Sequence, residues 1–384
     1  MELLLLLLPL AAASGWMLAR RGVPGQGGKS SQLNDPTYYK GLNYLLNEQP
    51  DKAIDVFVQM LEVDSDTVET HLALGNLFRR RGEVDRAIRI HQNLIARPTL
   101  SREHRAQALL ELGQDYLRAG LLDRAEHLFE ELADSKLYHD RALQNLLVIY
   151  ERLKEWDKCL DVAARLDSLS GEGRYKERAQ YYCELAESAY KSRDYPRATQ
   201  MAKRAQNNDR NCVRATMLLG QLEVERGDCK AAIRNFQQVG QQDPDYVTEV
   251  LPSIKTCYER QEDQKGLRAY LEKLLQQHNS VAVALLLTDM IQEQEGDARA
   301  VAFITAFLQD KPSLDGLERL LSFSLREAVP TGETLVTLRQ LLARLLEERP
   351  AYRCNKCGFN AKTMHWQCPG CHTWGSIKPV KAQA

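Results

Sequence analysis

Four cysteines near the C-terminus are the residues of this chain best suited to chemistry. Cys354 and Cys357 form one CxxC pair, and Cys368 and Cys371 form a second pair after ten intervening residues. Two residues between thiolates allow a tight turn in which both sulfurs face one ion, and Gly358 suits the left-handed backbone that follows such a turn. Four thiolates form a closed tetrahedral site, which Zn²⁺ prefers and iron can also use. The spacing therefore predicts one structural metal ion.

The segment around these cysteines is too short to fold without the metal. A stretch of about 25 residues buries too little apolar surface, so metal binding must supply the folding energy. His365 and His372 are not needed as ligands, and we expect surface histidines, although His372 directly follows a ligand and is placed to donate a hydrogen bond to it. We expect Trp366 and Trp374 to pack on the ribbon or to dock it against the last repeats of the preceding helical region.

A 34-residue period runs through most of the chain before the cysteines. Gly41 aligns with Gly75, and Ala53 aligns with Ala87. Later copies carry small or aromatic residues at equivalent positions: Gly113, Tyr116, Ala125, Phe129, Tyr150, Cys159, Ala186, Ala198, Ala202, Gly220, Ala232 and Phe236. This pattern resembles the tetratricopeptide repeat, a pair of antiparallel helices in which small residues let two backbones approach closely. It predicts an all-α superhelix of repeats over residues 35–312.

Two further patterns predict details of the helical region. Aspartates near the start of each second helix are expected to cap free N–H groups and to complement the helix dipole: Asp51, Asp85, Asp123 and Asp157. Residues 313–350 read as two capping helices, and leucines of the second are expected to form its buried stripe: Leu335, Leu338, Leu342, Leu345 and Leu346.

One equivalent position carries a basic residue in four successive repeats: Arg80, Arg118, Arg152 and Lys191. First helices of such repeats line a concave surface that binds peptides or helices of other proteins. These side chains are therefore candidate partner-binding residues for an acidic segment. The alternative is that they only keep the groove solvated.

The N-terminus predicts a single membrane anchor. An apolar run covers Leu3–Ala19 and is followed by Arg20 and Arg21, so residues 1–21 are long enough for a thin bilayer. The positive-inside rule places the N-terminus outside and the rest of the chain in the cytoplasm. A cleaved signal peptide is the alternative, but it would carry its positive charge before the apolar run. Residues 22–34 are rich in Gly and Ser and predict a flexible linker.

Composition excludes several classes of protein. The 51 basic and 52 acidic residues give a net charge of −1, which argues against a broad nucleic-acid-binding surface. The motifs of P-loop enzymes, serine hydrolases, zinc proteases and dinucleotide-binding enzymes are missing from the sequence, so we expect no catalytic residues. Five single cysteines suit a reducing compartment and are expected to be small buried side chains: Cys159, Cys183, Cys212, Cys229 and Cys257.

The order of these modules resembles the lipopolysaccharide assembly protein B (LapB, also called YciM) family. The residues that carry the resemblance are the Leu3–Ala19 anchor, the repeats and the YRCNKCGF…WQCPGCHTWGS ribbon, here 351–376, followed by a tail over 377–384. The resemblance implies a rubredoxin-like ribbon and a non-catalytic adaptor of the inner membrane. It also implies that the adaptor limits lipopolysaccharide synthesis by promoting degradation of the deacetylase LpxC by the membrane protease FtsH.

The resemblance leaves the metal and one alternative function open. Iron-carrying rubredoxins commonly have Gly after both cysteine pairs, whereas His372 follows the second pair here, which favours zinc over iron. A rubredoxin-like electron carrier with a docking arm built of repeats is the alternative function, and a red ferric site would identify it.

Overall fold

The structure, a computed structural model, describes residues 36–47, 49, 52, 53, 56, 68–98, 100–170, 173–327 and 333–380. The predicted anchor and the predicted linker over 22–34 lie outside these residues. Among the helices that are described, none combines the length and the apolar character needed to span a bilayer. The chain divides into two compact units, one ending at Ile149 and one beginning at Tyr150.

The first unit consists of helices that follow one another at the predicted period. They are α1 (Pro36–Leu46), α2 (Val68–Arg80), α3 (Val84–Ile95), α4 (Arg102–Ala119), α5 (Leu122–Ala133) and most of α6 (His139–Leu153). A β-carbon on Gly75 would lie 2.4 Å from the His91 ring, and one on Gly113 would lie 2.6 Å from the Phe129 ring. A glycine in the first helix of each pair therefore lets a ring of the second helix pack directly on its backbone, as the small residues predicted.

The second unit continues the pairing and ends in the ribbon. Its helices are α7 (Trp156–Ser170), α8 (Tyr175–Lys191), α9 (Tyr195–Asn208), α10 (Val213–Glu225), α11 (Cys229–Gln242), α12 (Val247–Arg260), α13 (Gln264–His278), α14 (Val281–Glu295), α15 (Asp297–Asp310), α16 (Leu314–Glu327) and α17 (Glu333–Glu348), with a 3-10 turn at Pro244–Tyr246. Gly220 meets the Phe236 ring as Gly113 meets Phe129. One apolar core extends from Val213 in α10 to Phe323 in α16. All five single cysteines are buried and free, as predicted.

The described aspartates of this set lie in the first turn of the second helices, and Asp85 and Asp123 do not occupy the N-cap. Asp85 and Asp123 are inside α3 and α5, and the preceding N-cap residues, Glu83 and Leu121, make no side-chain cap. Asp157 likewise lies in the first turn of α7, and Asp51 is outside the described residues. These aspartates can complement the helix dipole, because a carboxylate in the first turn is close to the positive end.

Other aspartates provide the caps in the second unit. Asp194, Asp228 and Asp263 each occupy the N-cap of a second helix, where the carboxylate accepts a hydrogen bond from a backbone N–H. The capping position is therefore two residues earlier than we predicted, and an aspartate occupies it in α9, α11 and α13.

The leucine stripe predicted for α17 is only partly buried. Leu338 is 48% exposed and Leu345 is 57% exposed, and the Leu335 side chain lies outside the description. The prediction of a buried stripe was wrong for these two leucines. These two leucines lie on a part of α17 that its packing on α16, where Arg339 Nε donates to Glu318 at 3.2 Å, leaves uncovered.

The ribbon is a small antiparallel sheet in the order β2-β1-β3. Its strands are β1 (Tyr352–Cys354), β2 (Asn360–Ala361) and β3 (Ile377–Pro379). We expected the ribbon to end at residue 376, but β3 pairs with β1, and Ile377, opposite Cys354, is completely buried. The ribbon therefore extends to Pro379, and the segment predicted as a tail contains its last strand.

A buried charged network lies in the first unit. His91 Nδ1 is 2.5 Å from Asp115 Oδ2, and both side chains are fully buried. The other Asp115 oxygen accepts from Arg79 at 2.8 Å, and Arg79 also donates to Glu111 at 2.6 Å. Burial opposes the charge of Arg79, but these carboxylates raise its pKa above the usual value. His91 stands where Phe129 and Phe236 stand in other repeats, so a polar network replaces an aromatic contact there.

Candidate metal centre

The four predicted cysteines come together at one point of the ribbon. Their sulfur atoms all lie within 4.8 Å of one another. Cys354 Sγ is 3.8 Å from Cys371 Sγ, and Cys357 Sγ is 3.6 Å from Cys368 Sγ. Four sulfurs bound at about 2.3 Å around a tetrahedral ion are separated by about 3.8 Å. The arrangement therefore fits one tetrahedrally bound metal ion.

Hydrogen bonds prepare two of the sulfurs for a cation. The hydroxyl of Ser376, followed by backbone amides, lowers the pKa of Cys354 to about 6. Thr373 lowers the pKa of Cys371 in the same way. The Phe359 amide also favours the Cys357 thiolate, but desolvation and the neighbouring sulfurs raise its pKa to about 12. A full set of thiolates in this volume requires a cation, because like charges at such distances oppose ionisation.

Each cysteine pair is followed by a residue with left-handed backbone. Gly358 has φ 78° and His372 has φ 53°. His372 N–H donates to the Cys368 carbonyl at 2.8 Å, and the His372 side chain is exposed. His372 therefore completes the second turn through its backbone, which agrees with the surface position that we expected.

The ribbon docks on the helices through Trp374. Its indole N–H donates to Glu151 Oε1 at 3.2 Å, and the same oxygen accepts from the Tyr181 hydroxyl at 2.6 Å. The rings of Trp156 and Tyr181 each meet Trp374 edge to face, with centroids 6.0 Å apart. Gln367 Nε2 donates to the second Glu151 oxygen at 3.3 Å. The Glu151 carboxylate thus accepts hydrogen bonds from three donors, two of which belong to the ribbon.

Arg214 lies beneath both ribbon tryptophans. It is 2% exposed, and its guanidinium donates to Glu184 and Glu187 at 2.8 Å each. The same group lies 5.5 Å from the Trp366 ring and 6.0 Å from the Trp374 ring. Burial opposes its charge, but the carboxylates raise the pKa of Arg214. A buried, paired cation under two indoles is a favourable cation–π arrangement.

A second group of contacts holds the other end of the ribbon. Trp366 stacks on Tyr246 with centroids 5.4 Å apart, and the Tyr246 hydroxyl donates to the Ile377 carbonyl at 2.9 Å. Lys378 pairs with Asp243. Tyr352 donates to Glu249 at 2.9 Å. The strands and both tryptophans are therefore fixed to helices α6 to α12.

The position at which the ribbon docks on the helices differs from our expectation in one respect. We expected the tryptophans to pack on the ribbon or to meet the last repeats, but their ring and hydrogen-bond partners on the helices lie between Glu151 and Tyr246, in the middle of the sequence. Arg214 and Glu151 were missed, because each is an ordinary charged residue in a helix. The only available signal was Trp156, a large aromatic residue at the start of a helix.

The predicted basic positions are exposed at the ends of first helices. Arg80 and Arg118 lie in the last turns of α2 and α4 in the first unit. Arg152 and Lys191 lie in the last turns of α6 and α8 in the second. In the described part of the chain, none of the four has a carboxylate within 4.0 Å.

Comparison with known proteins matches both parts of the fold. A model of the rubredoxin metal binding domain matches residues 352–379. Models of the tetratricopeptide repeat match residues 70–106, 110–170 and 183–247.

Two curated relatives match the chain over its full length. Lipopolysaccharide assembly protein B of Escherichia coli (strain K12) is 40% identical over 385 residues, which covers 99% of this chain and 98% of the relative. The protein of that name from Haemophilus influenzae is 36% identical over 392 residues, covering 100% and 99%. A solved structure of Pseudomonas aeruginosa pilF matches 54% of this chain and 90% of its own, with 20% identity and a TM-score of 0.32.

Proposed function

The chain belongs to the lipopolysaccharide assembly protein B family, and we propose that it is a non-catalytic inner-membrane adaptor that regulates lipopolysaccharide biosynthesis. In this proposal it promotes proteolysis of the deacetylase LpxC by the membrane protease FtsH, the partners that the family resemblance implies. Other lipopolysaccharide assembly proteins are further candidate partners.

The observation that best supports the proposal is that the metal centre is closed and lies in a ribbon fixed to the helices. All four ligands come from the protein, so a bound ion has no open position for a substrate. The ribbon is instead fixed to the helices by Trp366, Trp374 and Tyr352. A closed site of this kind favours a structural role over coordination of a substrate. We propose that the ion is Zn²⁺ held by Cys354, Cys357, Cys368 and Cys371.

The exposed basic positions support the binding role. We propose that Arg80 and Arg118 in the first unit, and Arg152 and Lys191 in the second, contact acidic segments of partner proteins. Guanidinium groups recognise carboxylates through paired hydrogen bonds.

Attachment to one membrane would make modest affinities sufficient. If residues 1–21 anchor the chain beside the protease, partners meet at a high effective concentration. The bulk of the chain then lies on the cytoplasmic side and the N-terminus in the periplasm, as the positive-inside rule predicts.

The proposal is tested by the half-life of the deacetylase in cells that lack the native protein. The full chain should shorten this half-life, whereas a chain without residues 1–21, or one with Cys354→Ser and Cys371→Ser, should not. His365→Ala is the matched control in the ribbon and should behave as the wild type. Full regulation by the anchorless chain would contradict the proposal.

Metal analysis tests the choice of ion. The purified chain should be colourless and contain one zinc per chain, and Cys354→Ser should release it. A red protein containing iron would instead support the electron carrier.

A further inference from the structure

The ribbon is the part of the chain with the most one-sided charge. Residues 351–384 contain no acidic residue, although the whole chain has 52. They contain five basic residues: Arg353, Lys356, Lys362, Lys378 and Lys381.

The docked side of the ribbon already meets carboxylates. Lys378 pairs with Asp243, and the Tyr352 hydroxyl donates to Glu249. The helices therefore supply acidic groups to a segment that has none of its own. This is electrostatic complementarity within one chain.

Arg353 faces away from these contacts. Its neighbours in β1, Tyr352 and Cys354, point to Glu249 and to the metal centre, and side chains alternate along a strand. The Arg353 side chain is exposed, and its Nε donates to the Asn360 amide oxygen at 3.2 Å. Lys356 follows in the first cysteine turn and is also exposed.

Apolar surface lies next to these cations. Residues 355–360 are all exposed, and Phe359 is 36% exposed. Phe359 Cδ2 lies 3.7 Å from where a β-carbon of Gly370 would stand. The ring therefore lies close to the second cysteine turn and is partly exposed to solvent.

Arg353 and Lys356 differ from many basic residues on the helices in having no nearby carboxylate among the residues that the structure describes. Exposed basic residues there often have a carboxylate: Arg86 with Glu83 at 2.8 Å, Lys158 with Glu155 at 2.8 Å and Arg268 with Glu295 at 2.6 Å. Across the described ranges, neither Arg353 nor Lys356 has a carboxylate within 4.0 Å. Their charge is available to a partner.

We propose that Arg353, Lys356 and Phe359 form an outer ribbon surface that binds an acidic segment of a partner protein, with an apolar side chain between its carboxylates. The Arg353 guanidinium would pair with one carboxylate, Lys356 with another, and Phe359 would contact the apolar group. A protein segment fits better than a lipid surface, because the Phe359 ring rests on Gly370 and does not project for insertion. The proposal rests on the adaptor role and adds a second contact surface to it.

The test measures binding of a defined acidic peptide by the full zinc-loaded chain in neutral detergent. The probe is a fluorescein-labelled peptide of four Glu-Glu-Leu repeats, followed by fluorescence anisotropy, with empty micelles as the blank. Arg353→Glu combined with Lys356→Glu should weaken binding about tenfold or more, and Phe359→Ser should weaken it several-fold. A Gln-Gln-Leu peptide should bind the wild type much more weakly.

The matched control replaces exposed lysines on the helices, Lys230→Glu and Lys265→Glu, and should leave the affinity unchanged. Zinc content reports whether each variant keeps its ribbon folded. Equal affinity of the wild type and the Arg353/Lys356 variant would overturn the proposal. Loss of binding in Arg80→Glu/Arg118→Glu together with undiminished binding in the Arg353/Lys356 variant would also overturn it, because the peptide would then bind the helices only.

A lipid surface is distinguished by hydrogen exchange in nanodiscs. Protection of residues 353–362 on phosphatidylglycerol nanodiscs, but not on phosphatidylcholine nanodiscs, in the absence of peptide would overturn the proposal in favour of lipid. Because these readouts are binding by the purified chain, a negative result rejects the outer ribbon surface and leaves the adaptor role to its own test in cells.

Discussion

At the residue scale, the two cysteine turns differ in the residue that takes the left-handed conformation. Gly358 adopts it without cost, whereas His372 has a β-carbon and φ 53°. Left-handed backbone costs a non-glycine residue about 1 kcal/mol. The His372 side chain is exposed and so does little to offset this cost.

We therefore predict that His372→Gly raises the stability of the ribbon by about 1 kcal/mol. The resistance of bound zinc to a chelator in increasing urea measures it. His365→Gly is the control, since its backbone is not left-handed, and should give no gain. A loss of stability in His372→Gly would mean that the imidazole supports the metal centre.

His91 is a second residue whose environment decides its role. Its partner Asp115 is completely buried and also pairs with Arg79. An aromatic residue at position 91 would resemble the other repeats but would leave one Asp115 oxygen without its buried partner. Leaving a buried carboxylate oxygen without its hydrogen-bond partner in this way costs about 3 kcal/mol.

We predict that His91→Phe destabilises the first unit by about 3 kcal/mol. Hydrogen exchange of the amides of α3 and α4 measures the loss. His127→Phe, at an exposed position of α5, should have little effect, and His91→Phe with Asp115→Leu should recover part of the loss. Undiminished protection in His91→Phe would show that the network is not needed for stability.

The sequence predicted residues with local signals and missed those without them. The cysteine ligands were predictable because two CxxC pairs have few other uses, and the glycines facing His91 and Phe129 followed from the repeat. Arg214 and Glu151 could not be predicted, because their burial depends on a ribbon more than 130 residues later in the chain.

At the element scale, the ribbon is held as a unit by indole and phenol groups. Trp374 contacts Trp156, Tyr181 and Glu151. Removing such a large aromatic side chain from a packed contact costs about 3 kcal/mol or more in stability. Metal binding, in contrast, depends on the four cysteines within the ribbon.

We predict that Trp374→Ala releases the ribbon from the helices but keeps the metal. Hydrogen exchange of β3 and of the Tyr181 region should increase, and zinc content should stay at one per chain. Phe359→Ala, on the undocked side, is the matched control and should leave exchange unchanged. Loss of zinc together with docking would show that the ribbon cannot fold unless docked.

The docking contacts should also weaken at high pH. Burial, followed by the hydrogen bond to Glu249, raises the pKa of Tyr352 to about 12, and burial raises the pKa of Tyr181 and Tyr246 as well. Because the folded pKa exceeds the unfolded value near 10, the stabilisation is complete below about pH 10 and is lost as pH rises through the folded pKa.

We predict that the stability of the contact between the ribbon and the helices is constant from neutral pH to about pH 10 and falls towards pH 12. Tyrosinate absorbance measures the ionisation of the tyrosines, and hydrogen exchange of β3 measures the loss of docking. In Tyr352→Phe the decline should be shallower, because one ionising group is gone. A decline that begins well below pH 10 would contradict the assignment.

Some elements were predicted more accurately from the sequence than others. The helix pairs followed from a period of 34 residues, whereas the rubredoxin-like ribbon followed from the family resemblance. The boundary at 376 was wrong because β3 has only three residues and pairs with a strand 23 residues earlier. The exposure of Leu338 and Leu345 was missed because periodicity shows an apolar stripe but not whether a neighbour covers it.

At the scale of the whole molecule, the chain combines tetratricopeptide repeats with a four-cysteine centre that can hold one metal ion. Family membership relates it to lipopolysaccharide assembly. We propose that it brings a protease and its substrate together and performs no reaction itself. The pairing of distant segments, such as Tyr246 with Ile377, was beyond sequence reasoning, whereas the order of modules was not.

The most direct test is proteolysis reconstituted with purified components. LpxC is incubated with FtsH in liposomes, with or without the full zinc-loaded chain in the same membrane, and the half-life of the deacetylase is measured. We predict that the wild-type chain shortens this half-life several-fold and that the Cys354→Ser/Cys371→Ser chain does not. An unchanged half-life with the wild-type chain, or loss of the deacetylase when the protease is omitted, would contradict the account.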